Sequence, residues 1–234
     1  MKLAKLITTV LAFCSIALNI YSMDIRKIKV DVQDLPSVEK ALESIEAVKI
    51  SNNNWPSQHP YSPEVCFKVF HNGEYMVIKY FVTEESTRAE ASEDGGKVWL
   101  DSCVECFISP ESDNKYYNIE ANCIGILHMS HRVIGGDVIY AEEDTYSMIK
   151  RYPSMKAEPF QLRDGERSWE LMLIIPAKAL FKDSITSWDG LDCAMNFYKC
   201  GDQTKRAHYL SWSPIALPNP MFHAPQFFGK VHFE

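Results

Sequence analysis

The chain has 234 residues, 46% of them hydrophobic and 12% aromatic, which is enough apolar material for a packed core and excludes a disordered protein. Its formal net charge is -7 and no lysine- or arginine-rich cluster offsets it, so a nucleic-acid footprint is excluded. The length suits one large domain or two small ones.

In chain order, Lys2 and Lys5 give a positive start, and Leu6 to Ile20 is an uncharged, mostly apolar run. That run is short for a bilayer span and predicts a signal peptide over residues 1–22, with Ile20 and Ser22 near the cleavage point. Residues 23–234 are then one exported domain, in the periplasm, at the cell surface or outside the cell. A lipid anchor at Cys14 needs a small residue before it, and Phe13 stands there instead. Met23 as the true first residue is the plainer alternative. No later stretch is long and apolar enough to cross a membrane.

"LPSVEKALESI" (Leu35 to Ile45) is the best short helix, with Ser37 as a capping residue. Nearly everything after it reads as strand and turn. "VCFKVFHNGEYMVIKYFVTE" is a hairpin turning at Asn72-Gly73, a strong short-range hairpin signal. Ser86 to Lys97 is a polar loop, and "VWLDSCVECFI" and "KYYNIEANCIGIL" are two more strands joined by a turn-rich link. "SWELMLIIP" is an apolar strand stopped by Pro176, with Trp169 expected in the core, and "AKALF" is one helical turn. "CAMNFYKCG" and "AHYLSWSPI" form a hairpin, "PNPMFHAP" is a proline-rich loop, and "FFGKVHFE" closes the chain as a strand. About nine short strands with turn signals between them and no βαβ rhythm predict an all-β antiparallel β-sandwich with one short N-terminal helix.

Side chains alternate across a strand, so the faces can be assigned from parity. Val104, Cys106 and Ile108 form one set, and Asp101, Cys103, Glu105 and Phe107 the other. The Cys103–Cys106 C-x-x-C therefore points to opposite sheet faces, giving one core and one surface cysteine and neither a zinc knuckle nor a redox pair. Six cysteines follow the signal segment: Cys66, Cys103, Cys106, Cys123, Cys193 and Cys200. An even count in an exported protein permits disulfides, and a domain of this size does not require them.

On the next strand Tyr117, Ile119, Ala121 and Cys123 are the apolar set, opposed to Tyr116, Asn118, Glu120 and Asn122. Pairing the two strands gathers Cys103, Glu105, Asn118, Glu120 and Asn122 on one face. Short directional carboxylates and amides suit the vicinal hydroxyls of a sugar. An exposed polar sheet face is the plain alternative. Glu105 and Glu120 could instead form a glycosidase acid/base pair, and their oxygens could take calcium, although no EF-hand loop is present. Trp99 shares the parity of Glu105 and is the strongest exposed-ring candidate among the five tryptophans. No G-x-S-x-G or H-E-x-x-H motif occurs, and the seven histidines have no metal spacing.

"VWLDSCVECFISPESDNKYYNIEANCIGIL" resembles the central signature of carbohydrate-binding module family 9, a W-x-D-x-x-x-E strand followed by a Y-x-N-x-E-x-N strand. "NFYKCGDQTKRAHYLSWSPI" and "FHAPQFFGKVHFE" are similar to the end of a standalone bacterial subgroup of that family. The resemblance spans most of residues 55–234. It implies a jelly-roll β-sandwich that binds a mono-, oligo- or polysaccharide without cleaving it, works beside glycoside hydrolases and carries structural calcium. Motif by motif it implies Trp99 as the first aromatic platform, Glu105 as the acidic ligand, Trp212 as the second platform and Asn196 as a polar ligand residue. It also leaves a structural or interaction sandwich without sugar binding as a further expectation, the domain being expected to stand alone behind its signal segment.

Overall fold

A computed structural model describes residues 21–234. The expected signal segment lies outside the described residues except for Tyr21 and Ser22. In chain order the strands and helices are β1 (Ser22–Ile25), α1 (Leu35–Glu43), β2 (Val48–Lys49), β3 (Asn52–Asn53), β4 (Glu64–His71), β5 (Tyr75–Ala89), β6 (Cys103–Ser109) and β7 (Lys115–Asn122). There follow β8 (Leu127–Val133), β9 (Val138–Tyr140), α2 (Glu143–Met148), β10 (Lys150–Pro153), β11 (Phe160–Pro176), β12 (Asp192–Cys200), β13 (Tyr209–Ser211) and β14 (Gly229–Phe233).

These strands make two facing sheets. The first runs β1-β14-β12-β6-β7-β8-β9, with β13 attached to β12 and β3 to β13; the second runs β10-β11-β5-β4-β2. Every pairing between named strands is antiparallel except β1 with β14, which is parallel. The main core fills the space between the sheets: Val104, Cys106 and Ile108 of β6 and Ile119 of β7 belong to the same buried cluster as Phe67, Ile78 and Trp169 of the second sheet. The helix α1 buries Val38 and Leu42 with Phe70, Val77 and Ile174, closing the outer face of the second sheet. Proline at its start supplies a preset backbone angle, and Asp34 takes the N-cap position, with the Ser37 hydroxyl donating to the Asp34 carboxylate rather than capping the helix itself.

The sandwich expectation is met, with a second short helix, α2, added to the N-terminal one. Two local readings change. The stretch from Val98 to Leu100 is a 3₁₀ turn, and the strand that follows begins only at Cys103. The polar stretch from Ser86 begins as strand, since β5 continues to Ala89. A local propensity for a loop there yields to the pairing of β5 with β11, which supplies partners along almost its whole length.

Candidate functional site

The outer face of the first sheet carries a second, smaller cluster that includes Trp55, Cys103, Phe107, Tyr116, Tyr198, Cys200 and Phe222. Strand register sets its polar residues in rows. Tyr198, Glu105, Glu120 and His128 lie side by side across β12, β6, β7 and β8. One row over stand Asn196, Phe107, Asn118 and Ser130. One row the other way are Cys200, Cys103 and Asn122. Period-two alternation put these residues on one face. What covers that face comes from elsewhere in the chain.

The cover is the segment after β13. Trp55 Nε1 donates to the Leu217 carbonyl at 2.7 Å, and the Tyr198 hydroxyl donates to the Phe222 carbonyl at 3.2 Å. The Phe222 ring stacks on Tyr198 with centroids 4.2 Å apart, and His223 stacks on Phe107. The face is therefore not a solvated one: Glu105 is 3% exposed and Glu120 4%.

One gap remains in the cover, a cavity of about 220 Å³. Its floor is Glu105, Glu120, His128, Arg132 and Cys200, and its rim is Trp99, Asp202, Tyr209 and residues 220–223. Trp99 is partly exposed on its 3₁₀ turn and meets His128 edge-on at 5.1 Å. Trp99 and His128 also border a second depression, which Tyr140, 58% exposed, helps to line.

Each charged group is held by named neighbours. Asn118 Nδ2 donates to Glu120 Oε1 at 2.7 Å. The Asn118 carbonyl oxygen accepts from the Ser130 hydroxyl and, at 3.2 Å, from Arg132 Nε. Among the described residues the terminal nitrogens of Arg132 have no hydrogen-bond partner, and neither does the second oxygen of Glu120, which is buried. Burial pushes the Glu120 carboxyl up to about 7, against the pull of Asn118 and Arg132. Burial, with Cys200 and Glu120 adding to it, raises Glu105 well above the usual carboxylate range. Burial also raises Asp202.

Several expected site residues stand elsewhere. Trp212 is 6% exposed and packs edge-on against Phe197, on the core side of the sheet, away from the cavity. Its ring is so close to Gly229 that a Cβ there would come within 2.5 Å of it. It cannot face the cavity without leaving the core. Asn118, Asn122 and Asn196 lie on the predicted face but do not line the cavity, because other backbone and side-chain groups use them. Asn122 donates to Asp101 and accepts from the Ile124 and Ile126 amides, which shapes the turn after β7. Asn196 bonds both the amide and the carbonyl of Ser213, which anchors the start of the covering segment. Cys103 is fully buried rather than on the surface, since the face it occupies is covered.

Sequence reasoning missed His128, Arg132, Asp202, Tyr209 and the rim residues 220–223. His128 and Arg132 were findable, because β8 continues the parity of β7. The rim residues carry no local signal. Among the described residues, the one cluster of three or more convergent histidine, cysteine, aspartate or glutamate donors is Cys103, Glu105 and Cys200, whose two sulfurs suit a softer ion than the implied calcium. Asp101, the acidic residue of the W-x-D motif, is already occupied by Arg88, the Glu90 and Ala91 amides and Asn122.

Comparison with known proteins adds the following. A family model described as carbohydrate-binding family 9 matches residues 36–233. A crystal structure of a candidate carbohydrate-binding protein from Bacteroides uniformis is 43% identical, covering 91% of this chain and 99% of that one, with a TM-score of 0.86. A family 9 module from Caldicellulosiruptor kristjanssonii in complex with glucose is 11% identical over 92% of this chain and 96% of that one, with a TM-score of 0.56. The same organism's module in complex with cellotriose is 11% identical, covering 92% and 94%, with a TM-score of 0.50. No curated protein matches the chain.

Proposed function

The chain belongs to carbohydrate-binding family 9, and from that premise we propose that it holds a sugar ring in the cavity beneath Trp99 and does not cleave it. The observation that carries this reading is the cavity's chemistry. A carboxylate oxygen of Glu120 is buried without a partner, and the Arg132 fork beside it has free donors. An unpartnered buried polar atom costs about 1–3 kcal/mol, which a ligand hydroxyl recovers. The cavity is about 220 Å³, below the roughly 300–1,000 Å³ of a drug-sized site and in scale for one ring.

Trp99 offers a partly exposed indole for the C–H face of that ring, and Glu105, Glu120 and Arg132 take its hydroxyls. Phe222 and Tyr209 replace Trp212 as the second aromatic surface in this reading. Glucose and β-linked glucose oligomers are the first ligands to test, since two structural neighbours hold glucose and cellotriose. Residues 23–234 would act after export, in the cell envelope or outside the cell, supporting polysaccharide breakdown beside glycoside hydrolases.

A hydrolase reading keeps Glu105 and Glu120 as the acid and its partner. The two are opposed residues of adjacent strands, so both rise from one floor. That separation is within reach of a glycosidase pair. Membership of a carbohydrate-binding family is what favours binding without cleavage.

Isothermal titration with glucose, cellobiose and cellotriose tests the proposal, alongside a glycan screen. Wild-type protein is expected to bind at least one glycan, and Trp99→Ala to weaken it more than about tenfold, the loss of one aromatic contact and its buried area. Binding that is indifferent to Trp99→Ala, or no glycan binding at all, overturns the reading. Turnover of the bound glycan, abolished by Glu105→Gln, would instead establish the hydrolase.

A further inference from the structure

The C-x-x-C is broken by strand parity, but one of its cysteines finds a partner across the sheet. Cys103 of β6 sits directly opposite Cys200 of β12. Both side chains join the outer-face cluster, and Glu105, two residues further along β6, lines the cavity on the same face. Cys106, Cys123 and Cys193 belong to the main core and take no part.

We propose that Cys103, Cys200 and Glu105 form a three-donor site for a thiophilic divalent cation of the Zn²⁺ class at the floor of the cavity. One ligand atom from each residue lies within 4.8 Å of the other two. The Cys200 sulfur is 3.0 Å from Glu105 Oε1, and the Cys103 sulfur is 4.0 Å from the same oxygen. Tetrahedral zinc, with sulfur at about 2.3 Å and carboxylate oxygen at about 2.0–2.2 Å, sets its ligands roughly 3.4–3.8 Å apart. The two sulfur–oxygen distances lie about half an ångström to either side of that spacing.

Neither sulfur has a strong competing partner. Cys103 reaches the Val104 carbonyl at 3.7 Å and Cys200 the Trp99 carbonyl at 3.6 Å, both weak contacts. All six cysteines among the described residues are free thiols. Glu105 and Cys200 line the cavity, so an ion has a way in and a ligand oxygen has a way to reach it. Three protein ligands with one open position is the arrangement of a zinc site that accepts a water or a ligand oxygen. Two sulfurs select against calcium and magnesium. Loading the site releases the two thiol protons, and the carboxyl proton where Glu105 carries one, to solvent and forms two metal–sulfur bonds and one metal–oxygen bond, with no change in oxidation state.

The test is a Co²⁺ titration of the full, reduced protein. One equivalent is expected to give the near-ultraviolet thiolate-to-cobalt charge-transfer band, and Zn²⁺ to displace it. Cys103→Ser and Cys200→Ser should each weaken binding more than about tenfold, while Cys66→Ser leaves it unchanged. Should the serine variants fold poorly, anomalous diffraction at the zinc edge from wild-type crystals gives an independent answer. A peak about 2.3 Å from both sulfurs supports the site. The proposal is overturned by the absence of both band and peak, by a band that survives both serine substitutions, or by peptide mapping that finds Cys103 and Cys200 joined as a disulfide in the purified protein.

Discussion

Arg132 and His223 show how single residues set the character of the cavity. Arg132 bonds Asn118 and Ser130 through Nε, which leaves its fork free among the described residues. His223 stays neutral. Burial, then the nearby Arg132 and His128, pushes its imidazole down to about 4 from the ordinary 6.5, and its Nδ1 shares a hydrogen bond with the Tyr116 hydroxyl. The sign of the linkage follows. An unfolded chain takes up the His223 proton near pH 6.5, whereas the folded chain resists it until about 4. The contribution of neutral His223 is thus fully present above pH 6.5 and is lost as pH falls toward 4, a decline of about 2–3 kcal/mol. Urea unfolding between pH 7.5 and 4.5 should show that slope, and His223→Gln should flatten it. An equal slope in the variant would show that other groups drive the acid sensitivity.

At the scale of elements, turns fix the register of the strands they join. The β4–β5 hairpin turns at Asn72-Gly73, where the Asn72 side-chain oxygen accepts from the Tyr75 amide at 2.8 Å. Gly73 has φ +103, a conformation costly for any residue with a Cβ, and a Cβ there would also stand 3.2 Å from Asp189 Oδ1. Gly73→Ala should therefore cost about 1–2 kcal/mol. The hairpin belongs to the second sheet, so glycan affinity should not change. A shift in the denaturation midpoint with unaltered calorimetric binding would bear this out; a loss of affinity would show that strain in one sheet reaches the other.

Across the whole molecule, the two sheets are joined by more than apolar contact. Lys199 of β12 is fully buried and lies 3.0 Å from Glu84 of β5, so a single ion pair spans the core. Trp169 of β11 donates to Glu84 at 2.7 Å, and His208 lies 2.8 Å from the Lys199 nitrogen. Burial, with Lys199 adding to it, drives the His208 imidazole well below its ordinary range, so His208 adds no second positive charge to the cluster. Removing one partner strands the other's charge. Glu84→Gln is expected to cost about 3–5 kcal/mol, and Glu84→Gln with Lys199→Met to recover much of it. Chemical denaturation of the two variants measures the difference, and equal losses would argue that the pair acts by shape rather than charge.

The sequence by itself determined the sandwich class, the hairpin at Asn72-Gly73 and the two faces of residues 103–108 and 116–122. Alternation is a local property of an extended backbone and needs no knowledge of what lies opposite. It placed Glu105 and Glu120 together, and it separated Cys103 from Cys106. Tertiary structure alone decided that this face is covered, that Trp99 reaches the cavity from a 3₁₀ turn, and that Trp212 fills the core instead. It also paired Cys103 with Cys200, 97 positions along the chain. These outcomes depend on which distant segment packs over a sheet once β12 and β13 are in place. That choice follows from the summed burial of residues far apart in sequence, and no local period encodes it.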